Sequence, residues 1–261
     1  IPLRLRQASM AIDAIYPSLK DKTVLITGGG SGIGEALTRA FIAQSAKVGF
    51  LDYDKAASET LAADLDSPDL HFEYCDLRDI DALQAAVKAV SAKLGPIRIL
   101  VNNAARDDRH SLESVTSDYF DERIATNLKH QLFAAQAVAG PMAAAGGGSI
   151  INMGSTSWMI GQGGMPCYTT AKSAVQGLTR GLARDLGPDN IRVNAVIPGW
   201  IMTQRQIDMW LTEESEKELM HRQCVKRKLI PEDIARFVLF MASDEAGACS
   251  NQSFIVDGGW V

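Results

Sequence analysis

The chain predicts a doubly wound α/β fold, in which a parallel sheet is covered by helices on both faces. Three observations carry that expectation. Seven short β-branched runs alternate with Ala-, Leu- and Glu-rich segments of helical length. The runs are apolar throughout, as strands buried on both faces must be, instead of alternating with polar residues. A chain of 261 residues can also bury about 70–75% of its unfolded surface, so it needs no disulfide framework.

Taken in order, residues 1–18 read as an N-terminal extension and 19–261 as one folded domain. The opening "IPLRLRQAS" is basic and apolar and precedes Met10. It reads as a cloning remnant or an alternative extension, too short for a secretory signal. Strands are expected at 23–27, 47–52, 71–76, 97–104, 149–155, 191–199 and 253–259. Helices are expected at roughly 33–45, 55–65, 79–94, 118–139, 168–187 and 232–243. The glycines of "AAAGGGS" (143–149) let the chain turn into the fifth strand. Residues 200–229 are too long for an ordinary strand-to-helix link; at the carboxyl end of a strand they read as a short-helix lid.

A net charge of −5 argues against nucleic acid as a partner, because phosphate binding wants a concentrated basic surface. No stretch has the length needed to span a bilayer. Cys75, Cys167, Cys224 and Cys249 form no Cys-x-x-Cys pair, and four scattered histidines suggest no metal site. Reduced thiols fit a cytoplasmic protein.

"TGGGSGIG" (27–34) joins the first strand to a helix. Its spacing is Gly28-x-x-x-Gly32-x-Gly34. Gly28 can make the tight turn, Gly32 can admit a pyrophosphate close to the backbone, and Gly34 permits close packing. The helix N-terminus supplies unpaired N–H groups for that anion. Asp52 closes the second strand, where a carboxylate accepts from ribose hydroxyls and repels a 2′-phosphate. Neither Gly29 nor Tyr53 brings a compensating cation, so NAD is expected over NADP. Asp52 can instead cap the turn "DYD", and Asp76 reads either as an adenine contact or as a helix cap near Asp79.

Tyr168 and Lys172 lie four residues apart in "YTTAK", one above the other on a helix, where the ammonium favours phenolate over phenol. Alone such a pair means little. In company with "TGGGSGIG", "NNAA" (102–105), Asn127 in "ATNLKH", Ser155 in "INMGS" and "IPGWIMT" (197–203), in this order, the chain resembles the short-chain dehydrogenase/reductases.

That resemblance implies a single Rossmann-type domain with about seven strands, usually assembled as a homotetramer, binding a small-molecule substrate and NAD. It implies Asn127, Ser155, Tyr168 and Lys172 as catalytic residues, with Asn127 holding a water that relays protons from Lys172. It implies cofactor contacts from Gly28, Ser31, Gly32, Ile33, Gly34, Asp52, Tyr53, Asp76, Leu77, Asn103, Ala104, Tyr168, Lys172, Pro198, Gly199, Ile201 and Thr203. Ala105 stands where the family usually has glycine, a change expected to be tolerated. A free tyrosine, with pKa about 10, is a poor base at neutral pH. Lowering it by about three units takes some 4 kcal/mol, which Lys172 and an oxidised nicotinamide are expected to supply.

For the substrate, Trp158 and Trp200 offer apolar faces for a sugar ring, and Arg106, Asp107, Asp108, His110 and Gln204 offer partners for its hydroxyls. "AIYPSLKDKTVLITGGGSGIG" (14–34), "DDRH" (107–110), "STSW" (155–158), "LARDLGPDNIRV" (182–193) and "DGGW" (257–260) resemble the bacterial aldose 1-dehydrogenases of this family, the D-xylose type in particular. The resemblance implies oxidation of an anomeric C1 hydroxyl to a lactone, and the substrate residues expected from the site's residue types are Arg106, Asp108, His110, Ser155, Trp158, Tyr168, Trp200 and Gln204. Arg106 departs from the D-xylose enzymes, which leaves L-arabinose, D-galactose and L-fucose open. The alternatives are a reductase or dehydrogenase for a 3-oxoacyl thioester, polyol or steroid, and an NAD-sensing regulator without turnover.

Overall fold

The structure, a computed structural model, describes residues 14–261. Seven strands form one parallel sheet in the order β3-β2-β1-β4-β5-β6-β7. They are β1 Thr23–Thr27, β2 Lys47–Asp52, β3 Leu70–Tyr74, β4 Ile97–Asn102, β5 Gly148–Met153, β6 Ile191–Pro198 and β7 Ser253–Val256. Their positions follow the sequence expectation to within a few residues; the central strands are buried on both faces, whereas the edge strands β3 and β7 are only partly buried. The strand period of two sends Val24 and Ile26 into the core beneath helices α1 (Gly32–Ala43) and α9 (Pro231–Ala242). Leu25 goes to the opposite core, beneath α3 (Ile80–Leu94), α5 (His130–Ala144) and the far end of α6 (Pro166–Leu186). Strand order reverses between β1 and β4, which opens a crevice at their carboxyl ends.

Most caps follow local chemistry. Asp54 accepts from Ala57 N–H to start α2 (Lys55–Leu65), and Asp79 accepts from Ala82 N–H to start α3. Asp76 therefore does not cap that helix. The excursion at 200–229 folds as two short helices, α7 (Gln204–Trp210) and α8 (Glu213–Arg222), started by Thr203 and Thr212. Its ends close on each other through an isolated bridge between Ile201 and Leu229.

Two differences from the sequence expectation stand out. The helix expected over 118–139 is interrupted: α4 (Ser117–Ile124) passes through a π-turn at Ala125–Lys129 into α5. Asn127 Nδ2 donates to the Arg123 carbonyl (2.9 Å), the acceptor its own backbone N–H takes in an α-helix. The segment expected outside the fold is partly inside it. Tyr16 N–H donates to Gln44 Oε1, and Gln44 Nε2 returns to the Ala14 carbonyl. The readings of "IPLRLRQAS" and Met10 lie outside the described residues.

The glycine turn is held by close approach. Gly28 has φ +66°, and a Cβ on Gly34 would sit 1.7 Å from the Gly28 carbonyl oxygen. Asn103 Nδ2 donates to that same oxygen (2.8 Å) and to the Thr27 carbonyl (3.1 Å), pinning the turn to β4. One residue on, the Ala104 carbonyl is bonded by His130 Nε2 (3.1 Å). A carbonyl only accepts, so Nε2 carries the proton.

Gly34→Ala should therefore lower the thermal midpoint by several degrees and weaken reduced-nicotinamide binding, read by scanning fluorescence and fluorescence titration. An unchanged protein would mean that the turn is not set by this contact. His130 gives a second expectation. Burial, helped by the Lys172 charge, pushes its pKa from 6.5 down to about 3. The unfolded chain takes up a proton that the fold refuses, so stability is lost as pH falls from 6.5 towards 3. Denaturant titrations at several pH values should show a steeper acid loss for wild type than for His130→Gln.

Candidate active site

A cavity of about 860 Å³ occupies the crevice at the carboxyl ends of the strands. Gly28, Ser31, Ile33, Gly34, Asp52, Tyr53, Asp76, Leu77, Asn103 and Ala104 line it on one side, and Pro198, Gly199, Ile201 and Thr203 with Ser155, Tyr168 and Lys172 on the other. Residues read from several distant motifs thus share one groove. Gly32 is off the lining, but a Cβ on it would meet the Thr203 methyl at 3.1 Å, which sets the turn against the root of α7.

The groove suits a dinucleotide. Ser31 at the start of α1 gives no side-chain bond to the first turn, so those N–H groups are left for another acceptor. Asp52 is buried and takes N–H bonds from Gly30 (2.9 Å, Oδ2) and Asp54 (3.0 Å, Oδ1). It caps the turn and lines the groove at once, with lone pairs remaining on both oxygens. The Asp76 carboxyl is held below its usual range by the Arg78 guanidinium, which it accepts at 2.6 Å.

The reacting end stands on α6. This helix is tied to the sheet by a buried amide chain: Asn102 Nδ2 donates to Asn152 Oδ1 (2.9 Å), and Asn152 Nδ2 to Thr179 Oγ1 (3.1 Å). Lys172 is buried and donates to the Met153 carbonyl (2.8 Å), with its ammonium 5.8 Å from the Tyr168 ring centre. Burial pushes Lys172 down to about 8. Tyr168 moves the other way: burial and the Asp107 charge push its phenol above its ordinary value, against a hydrogen bond with Ser155 and the Arg109 charge. The lowering of Tyr168 expected from Lys172 is therefore not delivered by the chain alone. Ser155 starts a 3-10 turn and accepts from Ser157 N–H (3.2 Å). A phenol, a hydroxyl and an ammonium meeting here can exchange a proton with an alcohol or a carbonyl.

Asn127 stands behind this wall, fully buried, with Oδ1 accepting from Arg106 N–H (2.8 Å). Its side chain ties the loop after β4 to the π-turn. Of the eight residues expected at the substrate, Arg106, Ser155, Tyr168 and Trp200 line the cavity, and Asp108, His110, Trp158 and Gln204 do not. Asp108 is engaged by arginines: it accepts from Arg123 Nη1 and Arg205 Nη2 at 2.6 Å, with Arg106 Nε at 3.4 Å. Burial pushes its carboxyl up, but these three cations outweigh that and hold it below its usual range. His110 bonds Tyr119 Oη (3.1 Å) and the Cys167 N–H (3.3 Å). Gln204 is exposed and donates to Asp208 (2.7 Å). Trp158 has its indole N–H buried without a hydrogen-bond partner.

Other residues take those places. Gln206, Arg109 and Trp210 line the cavity, and Asp107, weighed in sequence only as one of several polar partners, lies on its wall. Arg106 reaches Tyr53 Oη (3.0 Å) across the groove, so a cation does approach the adenosine end. Among the described residues no cluster of three metal-ligating side chains occurs, and no helix is long and apolar enough to cross a membrane.

Comparison with known proteins accords with this geometry. A family model described as enoyl-(acyl carrier protein) reductase matches residues 28–261. The chain is 49% identical to a D-xylose 1-dehydrogenase of Caulobacter vibrioides, covering 95% of this chain and 98% of that one. It is likewise 49% identical to a Rhizobium meliloti protein named "Probable galactose dehydrogenase", covering 94% and 96%. The structure of a short-chain type dehydrogenase/reductase from Mycobacterium ulcerans superposes with a TM-score of 0.88 at 27% identity, covering 93% and 90%. The chain belongs to the short-chain dehydrogenase/reductase family and is a dehydrogenase acting on CH–OH groups with a nicotinamide cofactor.

Proposed function

We propose that this dehydrogenase oxidises the anomeric C1 hydroxyl of a cyclic aldose to the lactone, with NAD as acceptor. The wall facing Tyr168 carries the reading: it brings a carboxylate, Asp107, and an amide, Gln206, beside Trp200. A steroid or acyl chain wants an apolar wall, whereas a sugar ring wants an aromatic face and fixed polar partners. The two relatives at 49% identity, both named as sugar dehydrogenases, point the same way.

In this reaction Tyr168 takes the C1 hydroxyl proton and Ser155 fixes the oxygen. Bound in the groove, oxidised nicotinamide supplies the hydride acceptor and a positive charge. Lys172, which lines the groove, would help hold the cofactor and keeps a cation near the phenol, favouring phenolate where burial alone opposes it. Asn127 anchors the loop and π-turn and would hold the water that relays protons from Lys172. The two helices at 204–222 act as the lid over the sugar. Asp52 sets the preference for NAD, since a 2′-phosphate there meets a buried carboxylate.

Following reduced-nicotinamide absorbance with a panel of aldoses should show turnover with NAD. Tyr168→Phe should cut kcat by about 10²–10⁴-fold while leaving the unfolding midpoint in place. No aldose turned over, together with activity on a steroid or 3-oxoacyl thioester, would sink the sugar reading. Asp52→Ala should move the ratio of kcat/KM for NAD over NADP towards unity; an unmoved ratio would assign the choice to another residue.

A further inference from the structure

We propose that the Asp107 carboxylate receives the hydroxyl on the carbon next to the one oxidised, so that the site reads a vicinal pair of oxygens and not a lone alcohol. The inference rests on the reading of this cavity as the site of CH–OH oxidation, and it specifies what the substrate must carry beside the reacting group.

Asp107 is held in place from the excursion, not from its own loop. Trp200 Nε1–H donates to Gln206 Oε1 (2.8 Å), and Gln206 Nε2–H donates to Asp107 Oδ2 (2.8 Å). The tryptophan fixes the amide, whose oxygen and nitrogen are thereby assigned, and the amide fixes the carboxylate. All three residues line the cavity. Its neighbour Asp108 is engaged by three arginines and stands off the lining, so the two adjacent carboxylates have different work.

The remaining capacity of Asp107 faces a donor. An ionised carboxylate has about four acceptor positions and no hydrogen to give. Gln206 fills one, and Arg205 Nε stands at 3.5 Å from Oδ1, too far for a strong bond. The side chain is 17% exposed, so an unfilled position there is poorly served by bulk water once substrate closes the cavity. A hydroxyl satisfies it; a ketone, a thioester carbonyl or a bare methylene does not. The Asp107 charge also reaches the Tyr168 phenol. Asp107, Ser155 and Tyr168 line the same cavity, so the hydroxyl that Asp107 receives belongs to the molecule whose reacting oxygen sits at Tyr168; the hydroxyl on the adjacent carbon lies nearest that oxygen and is the one assigned to Asp107. A hydroxyl donated to Asp107 draws that charge away from the phenol when the correct substrate is seated. Trp200, which begins the chain of bonds, presents an apolar surface beside it for the C–H face of a polyhydroxylated ring.

The test compares wild type with Asp107→Asn, which keeps the shape and an acceptor for Gln206, and with Gln206→Leu, which leaves the carboxylate unheld. Two matched pairs are assayed: an aldose against its 2-deoxy form, and butane-2,3-diol against butan-2-ol. Wild type should favour the hydroxylated member of each pair by on the order of tenfold to a hundredfold in kcat/KM, the range for a hydrogen bond to a charged group. Asp107→Asn should collapse that ratio to within about threefold, and Gln206→Leu should reduce it part of the way. A ratio unchanged in Asp107→Asn, with both members losing equally, overturns the proposal and leaves the carboxylate a structural part of the wall. Failure of every aldose, with the butane pair still discriminated and the discrimination lost in Asp107→Asn, removes the sugar reading and upholds this one. Oxidation of aldoses with no dependence of the ratio on Asp107 does the reverse.

Discussion

The candidate active site is organised around one buried cation. Lys172 is carried into the interior by α6 and given a single carbonyl, that of Met153, where a carboxylate would be the usual partner. A charge held this way is under-compensated, and burial drives the group towards its neutral form, about 8. Tyr168, one turn earlier, is driven towards its own neutral form for the same reason. Each group alone resists charging; together they relieve each other, because a phenolate supplies the anion that the ammonium lacks. The fold thus sets a buried ammonium one turn from a phenol that burial keeps protonated. In the proposed reaction the positive nicotinamide tips that phenol towards phenolate, and the substrate proton is what moves.

Holding such a pair demands a rigid seat, and the sheet provides it through polar bonds in its interior. The Asn102–Asn152–Thr179 chain crosses from β4 through β5 to α6 without leaving an amide nitrogen unbonded. Asn103 and Thr27 join the glycine turn to the same strand end. His130, kept neutral by burial, spans from α5 to the Ala104 carbonyl without adding a second cation beneath Tyr168. The dinucleotide groove and the reacting end are therefore fixed to one another by backbone and amide contacts at the tip of β4, not by the helices that cover the sheet.

The strands and the order of the motifs were legible in the sequence because their signal is local: continuous apolar runs, a glycine turn, a Tyr and a Lys at helical spacing. The π-turn was not. Its cause is one side chain, Asn127, taking a backbone acceptor, and apolar periodicity carries no mark of that exchange. The wall around the substrate was legible in residue type but not in orientation. Gln204 and Gln206 stand two residues apart on α7, about 200° around the helix, so only one can face the cavity. Which one depends on Thr203 starting the helix where it does. Asp107 and Asp108 alternate likewise, and the choice between them is made by Arg123 and Arg205, 15 and 97 residues away. Pairings of that span leave no trace in local spacing.

The same arginines decide how Arg106 is to be understood. Its guanidinium meets Tyr53 Oη across the groove, at the end where Asp52 lies, and an unpaired cation there would welcome a 2′-phosphate. Arg106 is not unpaired: Asp108 stands 3.4 Å from its Nε. Asp108 in turn is shared with Arg123 and Arg205, so its single negative charge is divided among three cations. Asp52, by contrast, is buried and is met by backbone N–H groups, whose dipoles orient the carboxylate without neutralising it. Coulomb attraction to a half-exposed guanidinium is screened far more than repulsion from a buried carboxylate. In the proposed function the balance at the ribose stays with Asp52, and Arg106 serves as a tether between the loops that follow β2 and β4.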